Sequence, residues 1–277
     1  MADPVRLDVA LVQRECARSR THAQELITAG RVRVDGVPVR KPSARIPEHA
    51  VLEVTGGHDY VGRAGAKLAA AVQAWPGLRL SGQVCLDMGA STGGFTQVLL
   101  EAGASQVYAV DVGHGQLAAE VRADARVINV EGLNIKELDL ETLPRPEDAR
   151  RIQVVVGDLS FISLTQVIPV VAERTRARDV VVLVKPQFEV GRAHLGPGGV
   201  VTDPRMWKYA IDQVSDSGRA HGLAPCRVMP SPQAGRYGNR EFLLWMSRTM
   251  RPDRGEWDEE IHGALERARR LAEGAAP

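Results

Sequence analysis

Charged side chains that could share a proton-transfer site recur at equivalent places along this chain. Asp111, Asp158 and Lys185 each follow a short apolar run that predicts a buried parallel strand. Ligands of an open parallel sheet lie beyond the carboxyl ends of its strands, so these side chains are expected to line one edge. Lys67, on the helix that precedes the first strand, could reach the same edge. A lysine there can act as a general base if burial and a second lysine lower its pKa.

The expected position of Lys67 within its helix also suggests a role. The pattern predicts a short helix over residues 66–72, which places Lys67 in the first turn. The helix dipole disfavours a cation at that position, so we expect that the Lys67 side chain either pairs with an acid or has a functional role.

Residues 84–95, VCLDMGASTGGF, predict a strand, a glycine-rich turn and a helix. A doubly wound α/β sheet opens its cofactor site in this way, and glycines let a ligand approach the backbone closely. An acid at the strand end would repel a pyrophosphate and suits a cationic ligand better. The candidate cofactor contacts in this stretch are Asp87, Gly89, Ser91, Gly93 and Phe95.

Further ligand contacts are expected along the same edge. Asp111 is a candidate for ribose hydroxyls by analogy with dinucleotide sites, and Asp158 borders the same space. Asn134 could approach an adenine or could cap a turn. Phe161 and Phe188 could stack on a displaced base or could simply pack.

The elements that must position these residues alternate in α/β fashion. Strands are predicted at residues 84–86, 106–110, 126–130, 153–156, 180–184 and 241–245. Helices are predicted over residues 95–100, from residue 114, near residues 205–217 and over residues 257–273. The alternation predicts a Rossmann-like, doubly wound α/β domain over residues 64–277.

Residues 1–55 form a smaller pattern that predicts a separate α+β module. Two short helices come first, and Ser19 or Thr21 could cap the second. An Asp-Gly pair between alternating valines then predicts a hairpin, and a last short strand closes the module. Residues 56–63 predict a linker between the two parts.

The N-terminal pattern resembles an S4 RNA-binding domain. The resemblance is carried by RLD at residues 6–8, SR at residues 19–20 and VRVDG at residues 32–36. It implies that basic side chains on the helices and the hairpin make salt-sensitive contacts to RNA phosphates. These side chains could instead be an ordinary solvated surface. The candidate RNA contacts are Arg6, Arg18, Arg20, Arg31, Arg33, Arg40, Lys41 and Arg63.

The large domain resembles S-adenosylmethionine-dependent methyltransferases, whose motif I is similar to DMGASTGGF. Lys67, Asp158, Lys185 and Glu241, within RAGAKL, DLSFIS, KPQFE and GNREF, match the Lys-Asp-Lys-Glu set of FtsJ-like 2′-O-methyltransferases. In that class the last strand is inserted antiparallel, which would bring Glu241 to the same edge. With the S4 pattern in front, the chain resembles the TlyA family, whose members are also called haemolysins. Ala64 stands where the RGGxKL pattern of that family has glycine.

The resemblance implies methyl transfer from S-adenosylmethionine to a ribose 2′-hydroxyl of ribosomal RNA, at cytidines of 16S and 23S rRNA in the ribosomal subunits. It makes Lys185 the general base or the charge that stabilises the alkoxide. Asp158 and Glu241 would hold the two ammonium groups, and Lys67 would stabilise the oxyanion or position the ribose. The target nucleotide would have to be displaced or already unpaired.

The composition limits the other possibilities. A net charge of +1 over 277 residues means that RNA would have to be bound by a local patch. Scattered cysteines and histidines predict free thiols in a reducing compartment and no metal site. We find no run long enough to span a membrane and no signal-peptide core, so a cytoplasmic protein without a membrane partner is expected. The oligomeric state is left open, with a monomer as the expectation.

Three other interpretations stay open at this point. An RNA-binding protein with an inactive methyltransferase domain is disfavoured because all four residues of the set are present. A membrane-lytic protein, as the haemolysin name suggests, is disfavoured because no helix pattern is both strongly basic and strongly apolar. A base-methylating enzyme is disfavoured because there is no NPPY motif, and because Cys85 and Cys226 lie in strand-like surroundings.

Overall fold

The chain divides into two compact units, residues 1–59 and residues 60–277. In the computed structural model, the described residues are 4–14, 16–17, 19–55, 60–235 and 237–273.

The first unit packs two helices beside short antiparallel strands. Its apolar core is built from side chains such as Leu7, Leu11, Leu26, Ile27 and Val32. Strand β1 pairs with β4, and the order β3-β2-β5 forms a second small sheet. The elements are β1 (Val5–Arg6), α1 (Leu7–Gln13), α2 (Arg20–Thr28), β2 (Val32–Val34), β3 (Val37–Pro38), β4 (Arg45–Ile46) and β5 (Leu52–Val54).

Local signals in this unit match their predicted structures. Ser19 caps α2, because its hydroxyl accepts a hydrogen bond from the backbone N–H of His22 at 3.2 Å. Asp35 and Gly36 form the hairpin turn with φ values of 49° and 78°. A two-residue turn with both residues in the left-handed region matches the right-handed twist of the flanking strands. Both predictions are confirmed.

The strands of the second unit form one mixed sheet with the order β11-β12-β10-β9-β6-β7-β8. β6 to β10 are mutually parallel, and β12 runs antiparallel to both β10 and β11. The α/β class and the inserted antiparallel strand are therefore confirmed. The strands are β6 (Val84–Met88), β7 (Gln106–Asp111), β8 (Val127–Glu131), β9 (Ile152–Gly157), β10 (Asp179–Val184), β11 (Ala224–Pro230) and β12 (Phe242–Ser247).

Helices cover both faces of this sheet. Leu68 and Leu99 belong to the core on one face, and Trp207 and Ile261 belong to the core on the other. This three-layer arrangement explains why the central strands are apolar on both sides. The helices are α3 (Arg63–Ala74), α4 (Gly94–Glu101), α5 (Ala119–Arg122), α6 (Pro146–Ala149), α7 (Ile168–Arg174), α8 (Pro186–Glu189), α9 (Pro204–Ala220) and α10 (Arg254–Ala272).

Two helix predictions for this unit were wrong. The helix expected from residue 114 is a loop, and α5 begins only at Ala119, because the Asp111 carboxylate accepts the N–H of Gly113 and turns the chain. Helix α3 begins at Arg63, inside the predicted linker, so Lys67 lies beyond the first turn. Residues 56–59 of that linker lie outside the described residues.

A buried hydrogen bond ties β6 to α4 across the glycine turn. The Thr96 hydroxyl donates to Asp87 Oδ2 at 2.6 Å, and the Asp87 side chain is fully buried. Asp87 is the last residue but one of β6, and its carboxyl group is shielded from solvent. Burial is the main cause that raises its pKa to about 7.

Helices α3 and α4 approach each other so closely that glycine is required at their contact. A Cβ on Gly94 would lie 2.8 Å from the backbone nitrogen of Gly65. A Cβ on Gly65 would lie 2.4 Å from the ring of Tyr60. The neighbouring Ala64 packs its methyl group against the core instead. The departure from the RGGxKL pattern therefore falls beside the close contact and not on it.

The raised pKa of Asp87 predicts how stability depends on pH. The folded state holds the Asp87 proton up to about pH 7, whereas an unfolded aspartate releases it near pH 4. Between these values the folded state binds more protons, so this group's contribution to the free energy of unfolding decreases as the pH rises. Asp87→Asn removes that titration. Its stability relative to the wild type, measured by urea unfolding, should rise from pH 4 to pH 7. A difference that stays constant over this range would contradict the raised pKa.

The contact at Gly65 predicts the sign of a glycine-to-alanine substitution. Helix propensity alone would make Gly65→Ala stabilising by about 1 kcal/mol. Overpacking against Tyr60 should cost about 1–3 kcal/mol, so we expect a lower free energy of unfolding. Gly263→Ala in α10 is the matched control, since its Cβ would meet only the flexible end of Arg267 at 3.2 Å. The control should be stabilised, and a stabilised Gly65→Ala would show that the close contact is unimportant.

Candidate active site

The carboxyl edge of the large sheet brings together the four charged residues that the sequence predicted. Asp158 directly follows β9, and Lys185 directly follows β10. The first residue of β12 pairs with the last residue of β10, so Glu241 and Lys185 lie just beyond the same pair. Lys67 reaches this edge from α3. Residues far apart in the chain thus form one cluster.

Two ion pairs connect these four side chains. Lys67 Nζ donates to Glu241 Oε2 at 2.6 Å, and Lys185 Nζ lies 2.7 Å from Asp158 Oδ1. Lys67 Nζ also lies 3.9 Å from Asp158 Oδ2, which places the aspartate between the two ammonium groups. Each side chain is at most 14% exposed, so solvent screens these charges only weakly. Two positive and two negative charges leave the cluster neutral.

Ser160 is a further polar contact that sequence reasoning missed. Its hydroxyl oxygen accepts a hydrogen bond from Lys185 Nζ at 2.8 Å. Lys185 Nζ thus donates a hydrogen bond to Ser160 and forms an ion pair with Asp158, and the two contacts together hold the ammonium in place. The sequence feature that could have indicated this contact is the position of Ser160, two residues after Asp158 in the same loop.

Glu189 ties together the two loops that carry Asp158 and Lys185. Its carboxylate accepts the hydroxyl of Ser163 at 2.6 Å and the N–H of Leu164 at 2.9 Å. Desolvation by the surrounding protein raises the pKa of Glu189. These two hydrogen bonds hold the end of α8, the helix that begins after Lys185, against the loop that begins at Asp158.

The turn before β12 fits closely around Glu241. A Cβ at Gly235 would lie 2.5 Å from Glu241 Oε1, so the turn can approach the carboxylate only with glycine there. Asn239 is buried and accepts the N–H of Val201 at 2.9 Å. This bond fixes the turn to the loop that follows α8.

The glycine-rich turn is held against the end of β7. The N–H groups of Gly89 and Ala90 both donate to the carbonyl of Val110. Ser91 donates its N–H to Asp111 Oδ2 at 2.8 Å. Gly93 precedes α4 with φ 95°, a conformation that favours glycine. The turn thus presents backbone at the switch point between β6 and β9, where α/β sheets bind their ligands.

The predicted cofactor contacts occupy two kinds of position. Gly89, Ser91, Gly93 and Asp158 lie on loops at the carboxyl edge, and Asp111 is the last residue of β7 at the same edge. The Asp87 and Phe95 side chains are buried in the core, so Phe95 can offer a ligand only its backbone. Asn134 caps the short turn that follows, by accepting the N–H of Lys136 at 3.1 Å. Its predicted alternative role as a turn cap is confirmed.

The two aromatic candidates contact each other beside the ion pairs. The centres of the Phe161 and Phe188 rings lie 5.4 Å apart at 50°. Phe161 is 92% exposed and has φ 64°, which a bulky side chain rarely adopts. The ring of Phe161 is therefore not part of a core.

Most of the predicted RNA contacts lie on the first unit. Arg6 and Arg20 both pair with Asp8. Arg31 donates to the carbonyl of Thr55, and Arg33 donates to the carbonyl of Gly36. The exposed members of the set are Arg20, Arg33, Arg40, Lys41 and Arg63. Arg63 belongs to the second unit. Arg18 lies outside the described residues.

Neither a metal cluster nor a membrane span is found in the part of the chain that the structure describes. No three His, Cys, Asp or Glu side chains among those residues are grouped so that they could hold a metal ion. None of the described helices combines the length and the apolar character needed to cross a bilayer.

Comparison with known proteins places this geometry in a family. Residues 60–248 match the model of the FtsJ-like methyltransferases, and residues 5–52 match the model of the S4 domain.

Relatives align along most or all of the chain. The 16S/23S rRNA (cytidine-2′-O)-methyltransferase TlyA of Mycobacterium tuberculosis is 43% identical over 277 residues, covering 99% of this chain and all of the relative. Hemolysin A of Brachyspira hyodysenteriae is 37% identical over 244 residues, covering 86% of this chain and 98% of the relative. A solved structure from Streptococcus thermophilus that carries a hemolysin name is 32% identical, with a TM-score of 0.71. The match covers 98% of this chain and 97% of that chain.

The four charged residues, the glycine turn and the S4 pattern thus occur in one chain that aligns from end to end with a TlyA protein. The chain belongs to the TlyA family of S4-containing, FtsJ-like methyltransferases.

Proposed function

We infer that this protein transfers a methyl group from S-adenosylmethionine to a ribose 2′-hydroxyl of ribosomal RNA. The observation that carries this inference is the pair of lysines held by two acids at the carboxyl edge of the sheet. The names of its relatives support cytidines of 16S and 23S rRNA as targets, and a cytoplasmic location follows from that substrate.

Lys185 is the residue proposed to handle the proton of the 2′-hydroxyl. A ribose hydroxyl is a poor nucleophile until it loses that proton. A lysine within hydrogen-bond reach can accept the proton as the neutral amine, or can stabilise the alkoxide as the ammonium. Asp158 and Ser160 fix the direction of the Lys185 ammonium. Lys67, held by Glu241, supplies a second positive charge for the developing oxyanion.

The residues at this edge also suit the proposed methyl donor. S-adenosylmethionine, when bound, supplies a methyl group on a positively charged sulfur. The neutral cluster does not repel such a cation, since each ammonium has an acid beside it. The turn between Gly89 and Gly93, which exposes Ser91, would hold the donor. Asp111 keeps unused lone pairs for the ribose hydroxyls of the donor.

The proposed RNA contacts divide between the two units. Basic residues of the first unit would contact phosphates of structured ribosomal RNA. In the second unit, the exposed ring of Phe161 beside Phe188 offers a surface for a displaced base next to Lys185.

Membrane lysis is a second candidate because one relative is named Hemolysin A. The test is dye release from liposomes by the purified protein. Release at concentrations at which methyl transfer is already saturated would support that activity.

The role of Lys185 predicts a loss of turnover without loss of the methyl donor. Transfer of radiolabelled methyl to unmodified 30S and 50S subunits should fall roughly 10²- to 10⁴-fold in Lys185→Ala. S-adenosylmethionine binding, measured by calorimetry, should persist, because the glycine turn is intact. Digestion of the RNA to nucleosides should place the wild-type label on a ribose.

Lys208→Ala is the matched control, since Lys208 lies on α9 and pairs with Asp212 at the surface. It removes the same charge and should leave turnover unchanged. Near-normal turnover of Lys185→Ala would refute the assignment of Lys185. Label on a base would refute the proposed reaction, and absence of label on both subunits would remove ribosomal RNA as the substrate.

A further inference from the structure

We propose that Asp8 is a positioning residue that fixes Arg6 and Arg20 as one two-guanidinium site for an RNA phosphate. The proposal deepens the proposed function and rests on it, because it specifies how the S4 unit holds its RNA. It adds a buried acid to the binding machinery, where the sequence had suggested only basic side chains.

A single carboxylate oxygen gathers donors from two elements of the first unit. Asp8 Oδ2 accepts from Arg6 Nη2 at 2.9 Å, Arg20 Nε at 3.0 Å and Gln24 Nε2 at 2.9 Å. Asp8 Oδ1 accepts from Arg6 Nε at 2.9 Å. Arg6 precedes α1 and Arg20 begins α2, so Asp8 brings two separate guanidinium groups to one place.

The exposure of these groups shows which side faces solvent. The Asp8 side chain is 0% exposed, whereas Arg6 is 39% and Arg20 is 57% exposed. The acid therefore lies behind the two arginines and cannot meet RNA itself. Hydrogen bonding by Arg6 lowers the pKa of Asp8, which keeps the carboxylate charged.

The pairing leaves the arginines able to bind a phosphate. Asp8 uses two of the five N–H donors of Arg6 and one of those of Arg20, and among the described residues no other acceptor occupies the donors that remain. Guanidinium groups bind phosphate through paired N–H donors, which makes their orientation important. Two fixed guanidiniums minus one carboxylate leave a net charge of +1 facing the RNA.

A purely electrostatic role and a positioning role for Asp8 predict opposite results. If Asp8 only offsets positive charge, Asp8→Asn would bind RNA more tightly and with a steeper salt dependence. If Asp8 holds the guanidiniums in place, the same substitution would weaken binding despite the added net charge.

The experiment measures affinity for unmodified 30S and 50S subunits from 50 to 200 mM KCl at fixed Mg²⁺. We expect Asp8→Asn to weaken binding about tenfold and to lower the salt slope by about one. Asp35→Asn is the matched control: it adds the same net charge, and its side-chain oxygen can still accept the N–H of Val51. The control should bind as tightly as the wild type or slightly more tightly.

A double-substitution cycle separates positioning from general damage to the unit. In an Arg6→Ala, Arg20→Ala background, Asp8→Asn should cause no further loss, because there is no guanidinium left to position. An equal loss in both backgrounds would overturn the proposal, as would unchanged or tighter binding of Asp8→Asn in the wild-type background.

Two lysine variants cover the case in which Asp8→Asn unfolds the S4 unit. Arg6→Lys and Arg20→Lys keep the charge but lose the planar fork, so each should still weaken binding. Binding equal to that of the wild type would overturn the proposal. Absence of binding by the wild type itself would instead refute the proposed function.

Discussion

The pairing of two nearly buried lysines with two acids is the constraint on which the rest of the catalytic unit depends. Removing an ammonium group from water is costly unless a counter-charge lies within hydrogen-bond distance. Lys67 has Glu241 at 2.6 Å, and Lys185 has Asp158 at 2.7 Å. Because four chain segments must meet to satisfy these pairs, the cluster links the fold directly to the proposed chemistry.

The surrounding structure supplies the precision that this pairing needs. The antiparallel register of β12 against β10 places Glu241 beside Lys185, because a strand of the opposite direction starts at the edge where the parallel strands end. Glycine at Gly235 lets the turn before β12 pack against Glu241, and glycine at Gly65 lets Tyr60 pack against the helix that carries Lys67. Substituting such glycines would alter the cluster without touching a charged residue.

The two units share one physical device, although their tasks differ. In each, an acid with little exposure fixes the direction of cations: Asp158 holds Lys185, and Asp8 holds Arg6 and Arg20. A long basic side chain loses conformational freedom when it binds a ligand, and prior pairing removes part of that cost. Under the proposed function, the acids of both units are therefore as important as the basic residues that they hold.

The sequence alone determined the α/β class, the S4 and methyltransferase resemblances, the Asp35–Gly36 turn and the four charged residues, and it narrowed the cap of α2 to Ser19 or Thr21. Each depends on local patterns or on motifs that can be read in one segment. Only the tertiary structure decided that Asp87 and Phe95 face the core, that Ser160 contacts Lys185 and that Asp8 joins Arg6 to Arg20. Strand and helix patterns show which faces are apolar, but they do not show which side chains from distant segments meet. Long-range contacts of that kind depend on register and packing, which a linear pattern does not contain.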